Sequence, residues 1–297
     1  MRKVMRWLGV GLAGLVGLIL LSLATLYTIT EAKLNKIYDV QVEAIPIPSD
    51  PAAVERGRHL VTTLGFCTEC HGQNYGGQVF DDGWFVGRIG IKNLTSGRGG
   101  IGGEFTDTDW VRALRHGVGT NGASLIDMPS NYYYNLSDAD LRAVIAYLKS
   151  LPPVDNDIPE TTLGPLARWY ILQEPSLLPA EVIDHTRPHP PVPQPGATVE
   201  YGHYLVSFSC VFCHRENLAG EPGQAGGAVP NLTPAGNLAH WTEDEFVHTL
   251  RTGVTPEGRK LDPVMMPWNY VGQLTNDELK AIWLYLKSVP AIETEGS

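Results

Sequence analysis

Cys67-Thr-Glu-Cys70-His71 recurs as Cys210-Val-Phe-Cys213-His214, and no other feature of this 297-residue chain restricts its fold as much. Two cysteines separated by two residues, with histidine directly after the second, form the signature of covalent c-type haem attachment. The spacing lets each thiol form a thioether to one of two vinyl groups on a haem edge while the imidazole reaches the iron from one face. A zinc site built from four thiolates and a redox dithiol are the alternatives. Zinc-binding pairs usually lie close together in sequence, and neither chemistry requires a histidine after both pairs. The residues therefore point to two haem c groups, with Cys67, Cys70, Cys210 and Cys213 as attachment points and His71 and His214 as axial ligands. All four cysteines lie in these motifs, which leaves none for a disulfide, a lipid-bearing cysteine or a thiolate ligand to iron.

The rest of the chain reads as a duplication around these motifs. Glu55-Arg-Gly-Arg-His-Leu-Val61 aligns with Glu200-Tyr-Gly-His-Tyr-Leu-Val206, Asn93-Leu-Thr95 with Asn231-Leu-Thr233, and Phe105-Thr-Asp-Thr-Asp-Trp-Val111 with Trp241-Thr-Glu-Asp-Glu-Phe-Val247. Each copy reads as mostly helical. Asp50-Pro51 starts a helix towards Cys67. Thr106 with Asp109, Thr242 with Glu245, Ser137 with Asp140 and Thr275 with Glu278 have capping-box spacing, and Gly117 and Gly253 are placed to end helices. Leu141, Val144, Ile145 and Leu148 form an apolar face in the last helix of the first copy, matched by Leu279, Ile282, Trp283 and Leu286 in the second. The Gly-rich stretch 97–103 reads as irregular backbone around the cofactor.

The repeat also identifies a second ligand for each iron. Met128-Pro129 and Met266-Pro267 precede the last helix of their copies, in a chain with only five methionines. A thioether opposite histidine makes a closed, six-coordinate iron of relatively high reduction potential. Met265 competes with Met266, and the repeat alignment favours the latter. No other histidine repeats between copies. His59, His116, His203 and His240 read as surface or capping residues, and His185 and His189, in a Pro-rich stretch, as solvent-facing.

Residues 7–29 carry no charge, and about 23 residues at ~1.5 Å each span the ~30 Å hydrocarbon core of a bilayer. Arg2, Lys3 and Arg6 precede them, which places that flank in the cytoplasm and the remainder outside. A cleaved signal peptide, with Ser22-Leu-Ala24 as its site, is the alternative. Such peptides have apolar cores of roughly 7–15 residues, so a retained anchor is expected. The formal charge of −10, more acidic still without the basic flank, argues against a nucleic-acid role.

Each repeat resembles a class I cytochrome c domain, with an N-terminal helix, a haem motif, an Asn-Leu loop, a methionine ligand and a C-terminal helix. The resemblance implies that the first and last helices cross, near Gly57 with Tyr147 and near Gly202 with Tyr285. It also implies that the ring NH of His214 donates to the carbonyl of Pro230; the first copy departs from the pattern by having Lys92 there. The whole arrangement is similar to membrane-anchored bacterial dihaem cytochromes c and to the cytochrome subunits of sugar and alcohol dehydrogenases. The expected fold is all-α: a transmembrane anchor over residues 1–30, a tether over 31–49, cytochrome domains over 50–153 and 198–291, a Pro-rich linker over 154–197 and a tail over 292–297. The linker piece Leu166-Ala-Arg-Trp-Tyr-Ile-Leu172 is expected to pack on a domain or between the two.

The implied role is single-electron transfer from a dehydrogenase or quinol-oxidising complex to a soluble cytochrome or terminal oxidase, on the outer face of the cytoplasmic membrane. A dihaem peroxidase would need one iron with an open distal position, which the matched Met-Pro pairs disfavour. A thiosulfate-oxidising dihaem enzyme with a cysteine ligand lacks a cysteine to supply it, although a His/Met variant of it remains possible.

Overall fold

The computed structural model describes residues 2–42, 44–191, 193–224 and 227–294, so Val192 of the proline run and the end of the tail lie outside the described residues. Helix α1 (Arg2–Leu34) is long and apolar enough to cross a membrane, and none of its apolar window is buried against the rest of the chain. It continues through residues 31–34, where a tether was expected. Those residues are helix formers or tolerated ones, and Lys33 at the end pairs with Glu181 at 2.6 Å. The chain then runs extended along the first repeat, with Tyr38 N donating to the Gly122 carbonyl at 2.9 Å.

Helix α2 (Pro51–Thr63) starts on Asp50, whose carboxylate accepts the Ala53 amide. A one-turn helix, Cys67–His71, carries the first motif. Strands β1 (Gln78–Asp81) and β2 (Gly87–Ile91) pair antiparallel, and β3 (Thr162–Leu163) adds to β2. Helix α3 (Asp107–His116) begins in a Thr106–Asp109 capping box and ends at Gly117, whose φ of 64° needs no Cβ. Helix α4 (Asp138–Ser150) closes the first repeat, and α5 (Pro165–Gln173) lies in the linker. The second repeat holds α6 (Val199–Ser207), a hairpin of β4 (Glu221–Gln224) and β5 (Gly227–Val229), α7 (Glu243–Thr252) and α8 (Asn276–Ser288). The fold is helix-rich, and the short strands are the addition to the all-α reading.

Both repeats are built on the same helix crossing. A Cβ on Gly57 would fall 1.9 Å from the Ala143 carbonyl oxygen of α4, and one on Gly202 would fall 1.9 Å from the Ala281 carbonyl oxygen of α8. Tyr147 and Tyr285 flank these contacts, with their Cβ atoms 3.0 and 2.9 Å from the same positions. Backbones touch here because neither glycine has a side chain. The crossing buries Leu60, Leu141, Ile145 and Leu148 on one side and Leu205, Leu279, Ile282 and Leu286 on the other.

The two repeats meet across a buried polar cluster with approximate twofold correspondence. His59 of α2 and Tyr204 of α6 occupy matching positions, and each reaches the third residue of the other repeat's last helix. His59 Nε2 lies 2.8 Å from Glu278, and the Tyr204 hydroxyl donates to Asp140 at 2.7 Å. Arg56 bridges both acids, with two bonds of 2.9 Å to Asp140 and one of 3.3 Å to Glu278. His59 is thus an interface residue rather than a surface one. This partnership also explains why Asp140 does not close a capping box: its carboxylate is turned to Arg56 and Tyr204, whereas Glu278 also accepts the Thr275 amide. Burial pushes the Glu278 carboxyl up, but the His59 and Thr275 hydrogen bonds outweigh it and hold it at about 2.

Linker contacts differ from expectation. Helix α5 packs on the first repeat, at the turn Gly83–Val86, as one of the two expected placements had it, but also against α1 and not between the repeats: Arg168 stacks 4.4 Å over the Tyr27 ring and bonds Thr30 at 2.8 Å. The glycines at 97 and 99 press on residues 154–157 just after α4, not on the walls around the motif. His116 is buried and shares a 3.1 Å contact with His185, and the His189 ring lies 5.1 Å from that of Tyr134. None of these three is simply a solvent-facing group, because the linker folds back over the first repeat.

Two outcomes follow. Gly57→Ala or Gly202→Ala forces the helices apart and costs about 3 kcal/mol or more of overpacking strain, read as a lowered denaturation midpoint. Glu278, held low when folded, contributes stability that is complete above its ordinary value of 4.5 and is lost as pH falls towards about 2; the loss is on the order of 3 kcal/mol. Denaturant titrations between these pH values should show this acid limb in the wild type and a shallower one in Glu278→Gln.

Candidate haem sites

Each motif is held by a local turn and a carbonyl placed from elsewhere. His71 Nδ1 lies 2.8 Å from the Lys92 carbonyl oxygen, and His214 Nδ1 lies 2.8 Å from that of Pro230. A carbonyl only accepts, so Nδ1 must carry the proton in both rings and Nε2 keeps its lone pair. Burial lowers the pKa of both histidines, which favours the neutral, ligating imidazole. The lysine at position 92 therefore makes the same contact as the proline at 230, since only its backbone oxygen is used.

The carbonyls are positioned by a network that the repeated Asn-Leu-Thr signalled without revealing its purpose. Asn93 Nδ2 donates to the Val154 carbonyl at 2.7 Å, and Asn231 Nδ2 to the Ile292 carbonyl at 2.7 Å. Thr95 and Thr233 hydroxyls accept the Val154 and Ile292 amides at 2.9 and 3.2 Å. Each loop is thereby tied to the chain that leaves the last helix of its repeat, so the helix crossing and the histidine's acceptor are mechanically one unit.

The surroundings fit haem better than zinc or a reactive dithiol. Burial pushes the Cys67 thiol up to about 12 and the Cys210 thiol up to about 11; such settings disfavour thiolate and suit a neutral thioether. Among the described residues no three His, Cys, Asp or Glu side chains gather to hold a metal ion. Cys67 borders an apolar wall that includes Leu60, Leu114, Val144 and Phe208. Trp110, one turn before Leu114 on α3, has a buried ring NH with no hydrogen-bond partner. A buried orphan donor costs roughly 1–3 kcal/mol, and the carboxylates of a haem are acceptors of the class that would satisfy it.

Met128 and Met266 are partly buried and packed against the core, whereas Met265 is 58% exposed. Each methionine loop continues into one helical turn, Ser130–Tyr133 or Trp268–Val271, and that turn reaches across to the other repeat's motif. The Tyr132 ring packs edge-on against Phe212, at 5.4 Å between centroids. Tyr270 donates to Glu69 at 2.5 Å and accepts from Thr68 at 3.3 Å. Tyr132 and Tyr270 occupy matching positions, so the cross-contact is reciprocal. A cleft of about 570 Å³ between the repeats is lined by Met128 on one side and by Val211 and Phe212 on the other.

Comparison with known proteins bears on the two repeats themselves. The family model described as cytochrome c matches residues 54–152, and that described as cytochrome c oxidase, cbb3-type, subunit III matches residues 197–286. The fructose dehydrogenase cytochrome subunit of Gluconobacter japonicus is 29% identical over 282 residues, covering 86% of this chain and 56% of the relative. The gluconate 2-dehydrogenase cytochrome c subunit of Pantoea cypripedii is 28% identical, with coverage of 82% and 61%. The chain thus spans little more than half the length of these curated relatives. A diheme cytochrome c-type protein of Cereibacter sphaeroides is 29% identical, with coverage of 84% of this chain and 92% of the relative. The chain thus holds two cytochrome c-type domains, is similar through most of its length to a diheme cytochrome, and carries two covalently bound haems c.

Proposed function

We propose that this chain is a membrane-anchored electron carrier in which Cys67 and Cys70 hold one haem between His71 and Met128, and Cys210 and Cys213 hold the other between His214 and Met266. The observation that carries this reading is the matched pair of histidines, each fixed by a carbonyl at 2.8 Å and each accompanied by a core-packed Met-Pro loop. Haem c, when bound, supplies a one-electron ferric–ferrous couple, whose potential a thioether opposite imidazole raises. The chain's own residues do the rest. The Lys92 and Pro230 carbonyls orient the imidazoles and increase their basicity. The apolar wall around Cys67 excludes water, and the reciprocal Tyr132 and Tyr270 contacts bring residues of both sites to one interface.

The donor we infer is a dehydrogenase, on the strength of the dehydrogenase cytochrome subunits to which the chain is similar. The acceptor we infer is a soluble cytochrome or a terminal oxidase. Arg2, Lys3 and Arg6 before the apolar helix support a single-pass topology in the cytoplasmic membrane with both domains on its outer side. The sequence similarity to dehydrogenase subunits and the symmetry of the two sites favour transfer over catalysis at an open iron.

Optical spectra of the purified protein test the ligand set. Two low-spin haems, reducible by ascorbate, inert to peroxide and showing the weak near-infrared band of a methionine–ferric haem bond, are expected. Met128→Ala and Met266→Ala should each remove about half of that band and create one high-spin haem, while Met265→Ala leaves the spectrum unchanged. A wild-type high-spin component that reacts with peroxide overturns the carrier reading in favour of a peroxidase.

A further inference from the structure

The end of α1 is clamped to a helix that carries exposed aromatic side chains which the electron-transfer sites do not use. Helix α5 is clamped to it through Arg168, which stacks on Tyr27, bonds Thr30 at 2.8 Å and meets Glu31 at 3.0 Å. The next two residues of α5, Trp169 and Tyr170, are 48% and 52% exposed. Beside them the turn Gly83–Val86 presents Trp84 at 82% and Phe85 at 50% exposure. That turn is held against the start of α5 at Gly164, where a Cβ would lie 2.4 and 2.5 Å from the Trp84 and Phe85 carbonyl oxygens. Two large aromatic groups therefore lie on the helix clamped to α1 where its uncharged stretch ends, at residue 29, and two more on the turn held against the start of that helix.

We propose that Trp84, Phe85, Trp169 and Tyr170 form a docking face that seats in the headgroup layer of the bilayer crossed by α1, and so sets the orientation of both haem domains relative to the membrane. The inference rests on the reading of α1 as a membrane span. Its occupant is a phospholipid surface because the face is continuous with α1, whose apolar window is itself unburied. Tyr27 lies within that helix, two residues before the apolar stretch ends, so Arg168 and its neighbours sit where hydrocarbon gives way to headgroups. Aromatic rings are enriched at that level because their apolar bodies and polar tips match its two sides. Of the two carboxylates before the turn, Asp81 is paired with Arg88 at 3.2 Å, which lowers the cost of bringing this face to the lipid, while the exposed Asp82 keeps the start of the turn at the aqueous side of the headgroups. An anchor helix alone leaves the soluble body free to tumble; the Arg168 clamp and this face together remove that freedom.

The test uses the full-length haem-loaded protein in nanodiscs containing a phospholipid with a photoactivatable group near the headgroup, followed by peptide mapping and hydroxyl-radical footprinting. Lipid adducts are expected on α1 and also on peptides spanning 80–86 and 165–173, with Trp84 and Trp169 protected several-fold relative to the detergent-solubilised protein. Ser substitution of both Trp84 and Trp169, at exposed positions that leave the haem spectra unchanged, should lower adducts on the remaining residues of the face. Adducts confined to α1, with both tryptophans open to radicals, overturn the docking face and leave the membrane span standing. Absence of adducts on α1 as well removes both readings, and protection that appears only when a dehydrogenase is added reassigns the face to a protein partner.

Discussion

The contact between α2 and α4, repeated between α6 and α8, supports everything else in the molecule. Two backbones touch where Gly57 meets the Ala143 carbonyl and Gly202 meets that of Ala281. Close packing tolerates no added atom there, so the crossing angle and the register of the helices are set together. From α4 and α8 the chain leaves towards Val154 and Ile292, which Asn93 and Asn231 grip by their carbonyls. Those asparagines flank the carbonyls that orient His71 and His214. A methyl group added at either glycine would thus act on the imidazole through a chain of rigid contacts, although it touches no atom of the site.

The interface between the repeats obeys a different logic. Its centre is ionic and buried, with Arg56 shared by Asp140 and Glu278, whose side chains are each only 6% exposed. Burying such groups brings little net stability, because desolvation offsets much of the attraction, whereas removing one partner is severe. Burial works against the charge of Arg56, yet the Asp140 carboxylate holds its pKa well above the ordinary value. The arrangement defines one docking geometry: a shift of one helical turn would strand either a carboxylate or the guanidinium. That specificity suits a protein whose two methionine loops must each reach the other repeat's motif through Tyr132 and Tyr270.

The linker completes the assembly by working at two ends. Its α5 helix clamps α1, and Glu181 beyond it pairs with Lys33. His185 then turns back to His116 on the first repeat, and the Tyr134 hydroxyl donates to the Arg187 carbonyl at 2.6 Å. A segment that composition marks as a spacer is therefore the part that fastens the N-terminal apolar helix to the first repeat.

Much of this was legible in the residues because it depends on short, local spacing. The haem motifs, the duplication, the helix caps at Asp50, Thr106, Thr242 and Thr275 and the apolar faces of the last helices all follow from patterns a few residues long, doubled by the repeat, whereas the pairing of each glycine with the facing helix came from the family resemblance. The sequence by itself determined what each repeat is and which side chains face its core. Tertiary structure alone decided the partners of His59, Arg56 and His116, the reach of Tyr132 and Tyr270, the docking of α5 on α1 and the use of the Lys92 carbonyl. Such contacts join residues as far apart as His59 and Glu278, and no periodicity encodes them. They are set by how two similar bodies and one linker settle against each other, where a hydrogen bond is chosen by position in space and a backbone oxygen serves whatever side chain it carries.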